Sequence, residues 1–372
     1  MPTRHVSPRK KKYGEICEWV VECINRGEYL PGQRLPGELQ LVRHFGVSRP
    51  TVARALLELE KTGLIERRAG SGTYIQKAKN EQRCVFGLLI PDLGQTEIFE
   101  PICQGIAESR QTMPFDLVWG QTQRGHSAAE KAQALSEQFI SIGVSGVFFA
   151  PLELTDGKDV LNQRIAQALE NAHIPVVLLD RDICPYPQRS RYDLVGIDNS
   201  RAGYLVTEHL LKLGCRRIVF LGRPNSAPTV EARVRGFRDA LSWCNISATA
   251  DWVREGNPDD AAFVQGILES MRPEAFVCAN DVTAATLMRT LGELGLQIPT
   301  DVRIVGIDDV RYASLLHMPL TTLHQPCRDL GATAIMTMFA RIAHPDMPAL
   351  HTMLDCKLVI RKSCGSDPCL AR

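Results

Sequence analysis

The chain has 372 residues, 44 % of them hydrophobic, with 43 Lys+Arg balanced by 42 Asp+Glu. That length suits two or three domains with sizeable cores. No apolar run approaches the roughly 18 residues of a membrane span, and the basic start "MPTRHVSPRKKKYGE" has no apolar segment behind it, which excludes a secretory signal and points to the cytoplasm.

Twelve cysteines are scattered without CxxC spacing, so in a reducing compartment they read as small buried hydrophobes rather than a disulfide frame. Cys364 and Cys369 lie close together but have no His or Cys neighbours in sequence to complete a metal set. No metal and no cofactor are expected. The net charge of +1 is unevenly spread: residues 1–79 carry 15 Lys+Arg against 8 Asp+Glu, a net of +7, which leaves −6 on the remainder. A basic head on an acidic body suggests that only the head meets a polyanion.

In chain order, "YGEICEWVVECINRGEY" spaces Ile16, Val20 and Ile24 as one stripe of an amphipathic helix, ended by Gly27. "LPGQRLPGELQLVRHFGVS" supplies a Pro-Gly break, a short helix with Leu41, Val42 and Phe45 inward, and Gly46 as its stop. "SRPTVARALLELEKTG" opens a third helix with Ser48 as N-cap, Pro50 in the first turn and Val52, Leu56 and Leu59 buried. "LIERR" and "GTYIQ", separated by Ala69-Gly70-Ser71, form a hairpin. Three helices and a hairpin make a winged helix-turn-helix. The Gly-Ser-Gly turn is no nucleotide loop, because a strand instead of a helix follows and the P-loop Lys is absent. At the wing tip Arg67 and Arg68 offer charge to DNA phosphates or a minor groove. In isolation, the same pair would serve equally as a solvated, aggregation-resistant strand edge.

From Cys84 onward the rhythm changes. "CVFGLLIP", "FDLVWG", "GVFFAP" and "PVVLLD" alternate with helical patterns over 84–180, and "LVGID", "RIVFLG", "AFVCAND" and "RIVGIDD" do so over 194–309. Continuous apolar strands between helices indicate parallel sheets covered on both faces. Two such sets in a row make a two-lobed α/β body. Ligands of such sheets bind outside the carboxyl ends of strands. Those ends carry Asp92, Asp180-Arg181, Asn280-Asp281 and Asp308-Asp309; Arg233 lies near a helix start, and Gln325 lies where the chain crosses between lobes. Carboxylates, guanidiniums and carboxamides converging on one cleft suit the paired donors and acceptors of a neutral polyol, with Phe99 against an apolar sugar face. Asp281 and Asp309 would serve as well as helix N-caps.

The head, with "GVSRPTVARALLELEKTGLIERRAGSGTYI" as its core, resembles the DNA-binding domain of the GntR family. The resemblance implies that the start of the third helix enters the major groove and the wing tip follows the minor groove. The residues expected against DNA are Arg34, Ser48, Arg49, Thr51, Arg54, Arg67, Arg68, Gly70 and Ser71. Two departures affect base preference: Gly37-Glu38-Leu39 stands where the family usually has Ser-Glu-Arg, and Ala53 where many members have Arg. The body, most clearly in "FVCANDVTAATLMRTLGELGLQIPTDVRIVGIDDVRYASLLHMPLTTLHQP", resembles the LacI/GalR effector domain, similar in fold to periplasmic sugar-binding proteins. By position that resemblance places ligand contacts on Asp180, Arg181, Arg233, Asn280, Asp308 and Gln325, with Asp92 and Phe99 in a more variable loop. The combination resembles that of the arabinose-responsive repressors.

The expected fold class is therefore α/β: a winged helix-turn-helix over 1–76, a linker over 77–83, and a periplasmic-binding-protein-like body over 84–372 with two parallel doubly wound sheets. Lobe 1 is expected over 84–197 and 326–345, and lobe 2 over 198–325 and 346–362. The expected function is a transcriptional repressor that binds double-stranded DNA as a homodimer at a pseudo-palindromic operator and is released by a small sugar or related polyol. A transport-type sugar-binding protein and a regulator sensing a nucleoside or purine are the alternatives. No GxGxxG, GxxxxGK[ST], HExxH or GxSxG motif supports an enzyme.

Overall fold

The computed structural model of the protein describes residues 12–26, 28–30, 32–68, 71–76, 83–91, 97–120, 127–247 and 249–366. Gly27, Gly70, Asp92, Cys369 and most of the expected linker lie outside them. The chain divides into two compact units, 1–83 and 84–372.

The first unit holds α1 (Lys12–Asn25), α2 (Glu38–Phe45), α3 (Arg49–Lys61) and the antiparallel hairpin β1 (Ile65–Arg68) and β2 (Gly72–Ile75). Its core gathers Ile16, Val20, Leu41, Val52, Leu56 and Leu59 with Ile65 and Ile75 from the hairpin. Helical spacing and strand alternation thus deliver their apolar residues to one small centre. Gly46 ends α2 at φ +59°, a left-handed conformation that glycine adopts at little cost. Ser48 takes the N-cap position of α3 with extended backbone but makes no side-chain cap; its hydroxyl pairs instead with Thr51 Oγ1 at 2.8 Å.

The second unit contains two six-stranded sheets. The first collects β3 (Cys84–Leu89), β4 (Phe115–Val118), β5 (Gly146–Phe149), β6 (Val176–Leu179), β7 (Asp193–Ile197) and β13 (His351–Leu354) in the order β13-β7-β6-β5-β3-β4, all parallel. The second collects β8 (Ile218–Gly222), β9 (Val253–Glu255), β10 (Ala275–Cys278), β11 (Arg303–Asp308), β12 (Thr321–His324) and β14 (Lys357–Val359) in the order β14-β12-β11-β10-β8-β9, with only β14 antiparallel. The central strands are buried along their whole length, as helices on both faces require.

Two expectations change. "LVGID", grouped by its rhythm with the second set, becomes β7 of the first sheet, paired with β6, inside the range 84–197 expected for lobe 1. The segment 346–362 does not belong wholly to the second lobe either, because β13 pairs with β7 and only β14 returns to β12. The chain therefore crosses between lobes after β7, after β12 and after β13.

Each lobe brings one helix pair into unusually close contact. In the first, α4 (Phe99–Glu108) packs on α11 (Cys327–Ala343); in the second, α7 (Asn199–Lys212) packs on α8 (Pro228–Trp243). A Cβ on Gly236 would lie 1.7 Å from the Ser200 carbonyl oxygen, and one on Gly331 would lie 2.1 Å from that of Ile102. Only glycine allows these backbones to meet, and the helices so seated begin at or carry Phe99, Asn199 and Arg233.

Candidate functional site

In the head, the N-terminal end of α3 and the hairpin face a groove of about 710 Å³ lined by Arg34, Glu38, Arg49, Arg67, Arg68 and Ser71, among others. Glu38 sits between two of the arginines: its carboxylate accepts from Arg49 Nε at 3.1 Å and from Arg67 Nη2 at 2.8 Å. Arg34 is held beside the wing by a bridge to Tyr74, its guanidinium lying over Gly72 where a Cβ would clash at 2.5 Å. Arg68 pairs with Glu66 at 3.0 Å and lies 4.9 Å above the Tyr74 ring. Arg34, Arg49, Arg67, Arg68 and Ser71 thus share one face, with the Ser48–Thr51 hydroxyl pair at the adjoining helix start. Arg54 departs from them: its guanidinium lies over the Tyr13 ring of α1 at 4.8 Å.

In the body, the strand ends converge. Asp180 follows β6 with φ +68°, and Asp308 ends β11 with φ +133°, conformations that side chains other than glycine rarely adopt and that concentrate at functional sites. Asp180, Arg181, Arg233 and Gln325 are all at most 4 % exposed. Arg181 bonds Glu153 through Nη1 at 2.5 Å, approaches Asp180 Oδ2 with Nε at 3.2 Å, and stacks 5.2 Å above the buried Phe99 ring. Arg233 donates to Asn199 Oδ1 at 2.8 Å and to the Ala279 carbonyl at 2.5 Å, and stands 3.6 Å from Asp308. Gln325 Nε2 donates to Asp308 Oδ1 at 2.6 Å.

Burial pushes the Asp180 carboxyl above its ordinary value and raises that of Asp308 to about 8. For Glu153, burial acts in the same sense, but the Arg181 and Arg233 guanidiniums and the Ala227 backbone N–H together outweigh it and hold the carboxyl below the usual range. Three polar atoms of this cluster are buried without a hydrogen-bond partner: Asp180 Oδ1, Arg181 Nε and Gln325 Oε1. A buried polar atom left unpaired costs about 1–3 kcal/mol, so this is where a polar ligand gains most. A cavity of about 890 Å³, lined in part by Glu97, Tyr312 and Arg328, reaches Asp308 and Gln325, while another of about 330 Å³ reaches Asp180 and Asn199. Both lie within the range of small-molecule sites.

Asn280 caps α10 (Asp281–Glu293) with its Oδ1, which accepts from the Thr283 N–H at 2.9 Å. Asp281, weighed above as a cap, is instead fully buried against the Val310 N–H and the Thr322 hydroxyl. Asp309 pairs with Arg361 and His324. Glu153 and Asn199 were missed. Both follow strands, β5 and β7, so the strand-end rule applied to every strand would have included them. Cys364 is buried beside His209 and Thr321. Among the described residues no group of three or more His, Cys, Asp or Glu is placed to hold a metal ion, and no helix is long and apolar enough to cross a membrane.

Residues 12–75 match the family model for bacterial regulatory proteins of the gntR family, and residues 207–364 match that for a periplasmic binding protein-like domain. The arabinose metabolism transcriptional repressor of Geobacillus stearothermophilus is 29 % identical over 339 residues, spanning 87 % of this chain and 89 % of that protein. The HTH-type transcriptional repressor PurR of Aliivibrio fischeri strain MJ11 is 34 % identical over 194 residues, covering 50 % of this chain and 56 % of its own length. The transcription regulator CcpA of Lactococcus lactis shares the fold, with a TM-score of 0.65 at 22 % identity over 76 % of this chain and 99 % of that one. The chain thus joins a regulatory DNA-binding head to a periplasmic-binding-protein-like body, and it is a transcriptional regulator, not an enzyme.

Proposed function

We propose that the protein is a cytoplasmic repressor that binds a pseudo-palindromic operator as a homodimer and is released when its body closes on a small neutral sugar. The observation that carries the effector class is the set of unpaired buried atoms: two acceptors, Asp180 Oδ1 and Gln325 Oε1, beside one donor, Arg181 Nε. A sugar hydroxyl both donates and accepts, so adjacent hydroxyls satisfy such a set. The similarity to an arabinose metabolism repressor over 89 % of that protein favours a pentose. Coupling between ligand and operator follows from linkage. A ligand that prefers one arrangement of the lobes shifts the equilibrium by no more than its differential affinity, and the segment between head and body passes that shift on.

The test is a thermal-shift screen of the full chain against pentoses, hexoses, sugar acids and nucleosides, followed by duplex binding with and without the hit. A ligand at about 100 times its dissociation constant stabilises the folded state by about 2.7 kcal/mol, a readily measured shift. A response to nucleosides or purines with silence toward every sugar would assign the body to a different ligand class. A hit that leaves duplex affinity unchanged would remove its role as an effector.

A further inference from the structure

We infer that Glu153 makes the body selective for uncharged polyols over anionic ones, because it commits the Arg181 guanidinium to a carboxylate of the protein before any ligand arrives. The inference rests on the sugar-sensing reading above. Two buried guanidiniums, Arg181 and Arg233, face the cluster; Arg311 and Arg328 line the cavity that reaches it, Arg328 already paired with Glu108 and Gln104, so an anion seated at the cluster itself would need one of the two buried ones as its partner. Arg233 already serves Asn199, the Ala279 carbonyl and Asp308. Arg181 would be the available cation, but Glu153 pairs with its Nη1 and the Asp180 carboxylate stands 3.2 Å from its Nε, so two protein carboxylates already offset its charge although Nε has no hydrogen-bond acceptor. The unpaired atoms that remain are mostly acceptors. A hydroxyl has a proton for them; a carboxylate or phosphate has none and meets them oxygen against oxygen.

Glu153 is held in place from both sides. Its predecessor Leu152 is clamped by Asn162, which accepts from the Leu152 N–H at 2.8 Å and donates to its carbonyl at 3.0 Å. Its successor Leu154 stands at φ +51° and donates its N–H across the cleft to the Asn225 carbonyl at 2.7 Å, while Asn225 Nδ2 donates to Asp156 at 2.6 Å. A side chain placed by two such anchors keeps its carboxylate on Arg181 instead of turning to solvent. Glu153 is therefore a specificity-determining residue that acts through Arg181.

The experiment is calorimetric titration of the full-length protein with matched pairs: L-arabinose and L-arabinonate, D-ribose and D-ribonate, D-galactose and D-galacturonate, D-glucose and D-glucuronate. In the wild type at least one neutral sugar binds, and its acid binds at least tenfold more weakly. Glu153→Gln, which keeps size and removes charge, lowers that neutral-to-acid ratio at least tenfold, about 1.4 kcal/mol. Glu153→Ala gives the same direction should the first variant fail to fold. A wild type that binds an acid as tightly as its neutral partner overturns the inference while leaving sugar sensing intact, as does an unchanged ratio in folded variants. A wild type silent toward every neutral sugar and every acid overturns sugar sensing itself, and the inference with it.

Discussion

Truncating Asp281 to alanine tests how the site's central turn is held. Asp281 lies beneath the turn Asp308-Asp309-Val310 and fills the space above Gly306, where a Cβ would come within 2.2 Å of its Oδ1. It accepts from the Val310 N–H at 3.0 Å and from the Thr322 hydroxyl at 2.6 Å. Asp281→Ala leaves both buried donors unpaired at about 1–3 kcal/mol each, so about 2–6 kcal/mol together. The carboxylate also carries its own penalty: burial pushes its pKa from 3.8 up to about 6, and about two units correspond to about 3 kcal/mol.

The sign of the pH effect follows. The folded value lies above the unfolded one, so this group's contribution is fully present below about pH 4 and is lost as pH rises through about 6. Alanine has no such loss. The destabilisation by Asp281→Ala is therefore greatest near pH 4 and shrinks by about 3 kcal/mol by pH 8. The assay is urea unfolding of wild type and variant across that range, followed by tryptophan fluorescence, since Trp252 packs against the core that Asp281 borders. A difference that grows with pH would refute the reasoning, because it would mean that the site favours the ionised carboxylate.

Two further substitutions separate the units. Arg49 is 72 % exposed beyond its pairing with Glu38, so Arg49→Ala weakens duplex binding and lowers its salt dependence by about one phosphate contact, while sugar titrations of the same variant match wild type. Gly236→Ala places a methyl 1.7 Å from the Ser200 carbonyl; overpacking of this kind costs about 1–3 kcal/mol, lowers the melting temperature of the body, and weakens sugar binding through displaced Arg233. Duplex affinity of Gly236→Ala without sugar stays near wild type at low temperature, and a parallel loss there would contradict the division of labour.

Most of the fold was legible because its signals are local. Ile16 and Val20, four residues apart, and Gly46, which closes α2, mark the head without reference to anything distant. The apolar runs from "CVFGLLIP" to "RIVGIDD" mark eight of the twelve strands among the described residues of the body. The missed strands are those whose formation depends on partners far away in sequence. Thr321–His324 reads as a polar loop until β11 lies beside it, and His351–Leu354 is a strand only because β7, over 150 residues earlier, offers an open edge.

The site followed the same division. Asp180, Arg181, Arg233, Asp308 and Gln325 come together because a strand end is a local feature and the topology sends those ends to one place. Which polar group remains available there is not local. Asn280 and Asp281 are adjacent, and both could cap a helix; the cap went to Asn280 because Thr322 and Val310 offered Asp281 two donors in the interior. Likewise Arg181 reads as a free cation until Glu153 arrives from the loop after another strand. Sequence placed the charges at the cleft, but only the three-dimensional pairing shows that they are largely spent on one another. That pairing leaves a surplus of acceptors, and a surplus of acceptors calls for a ligand rich in hydroxyl protons.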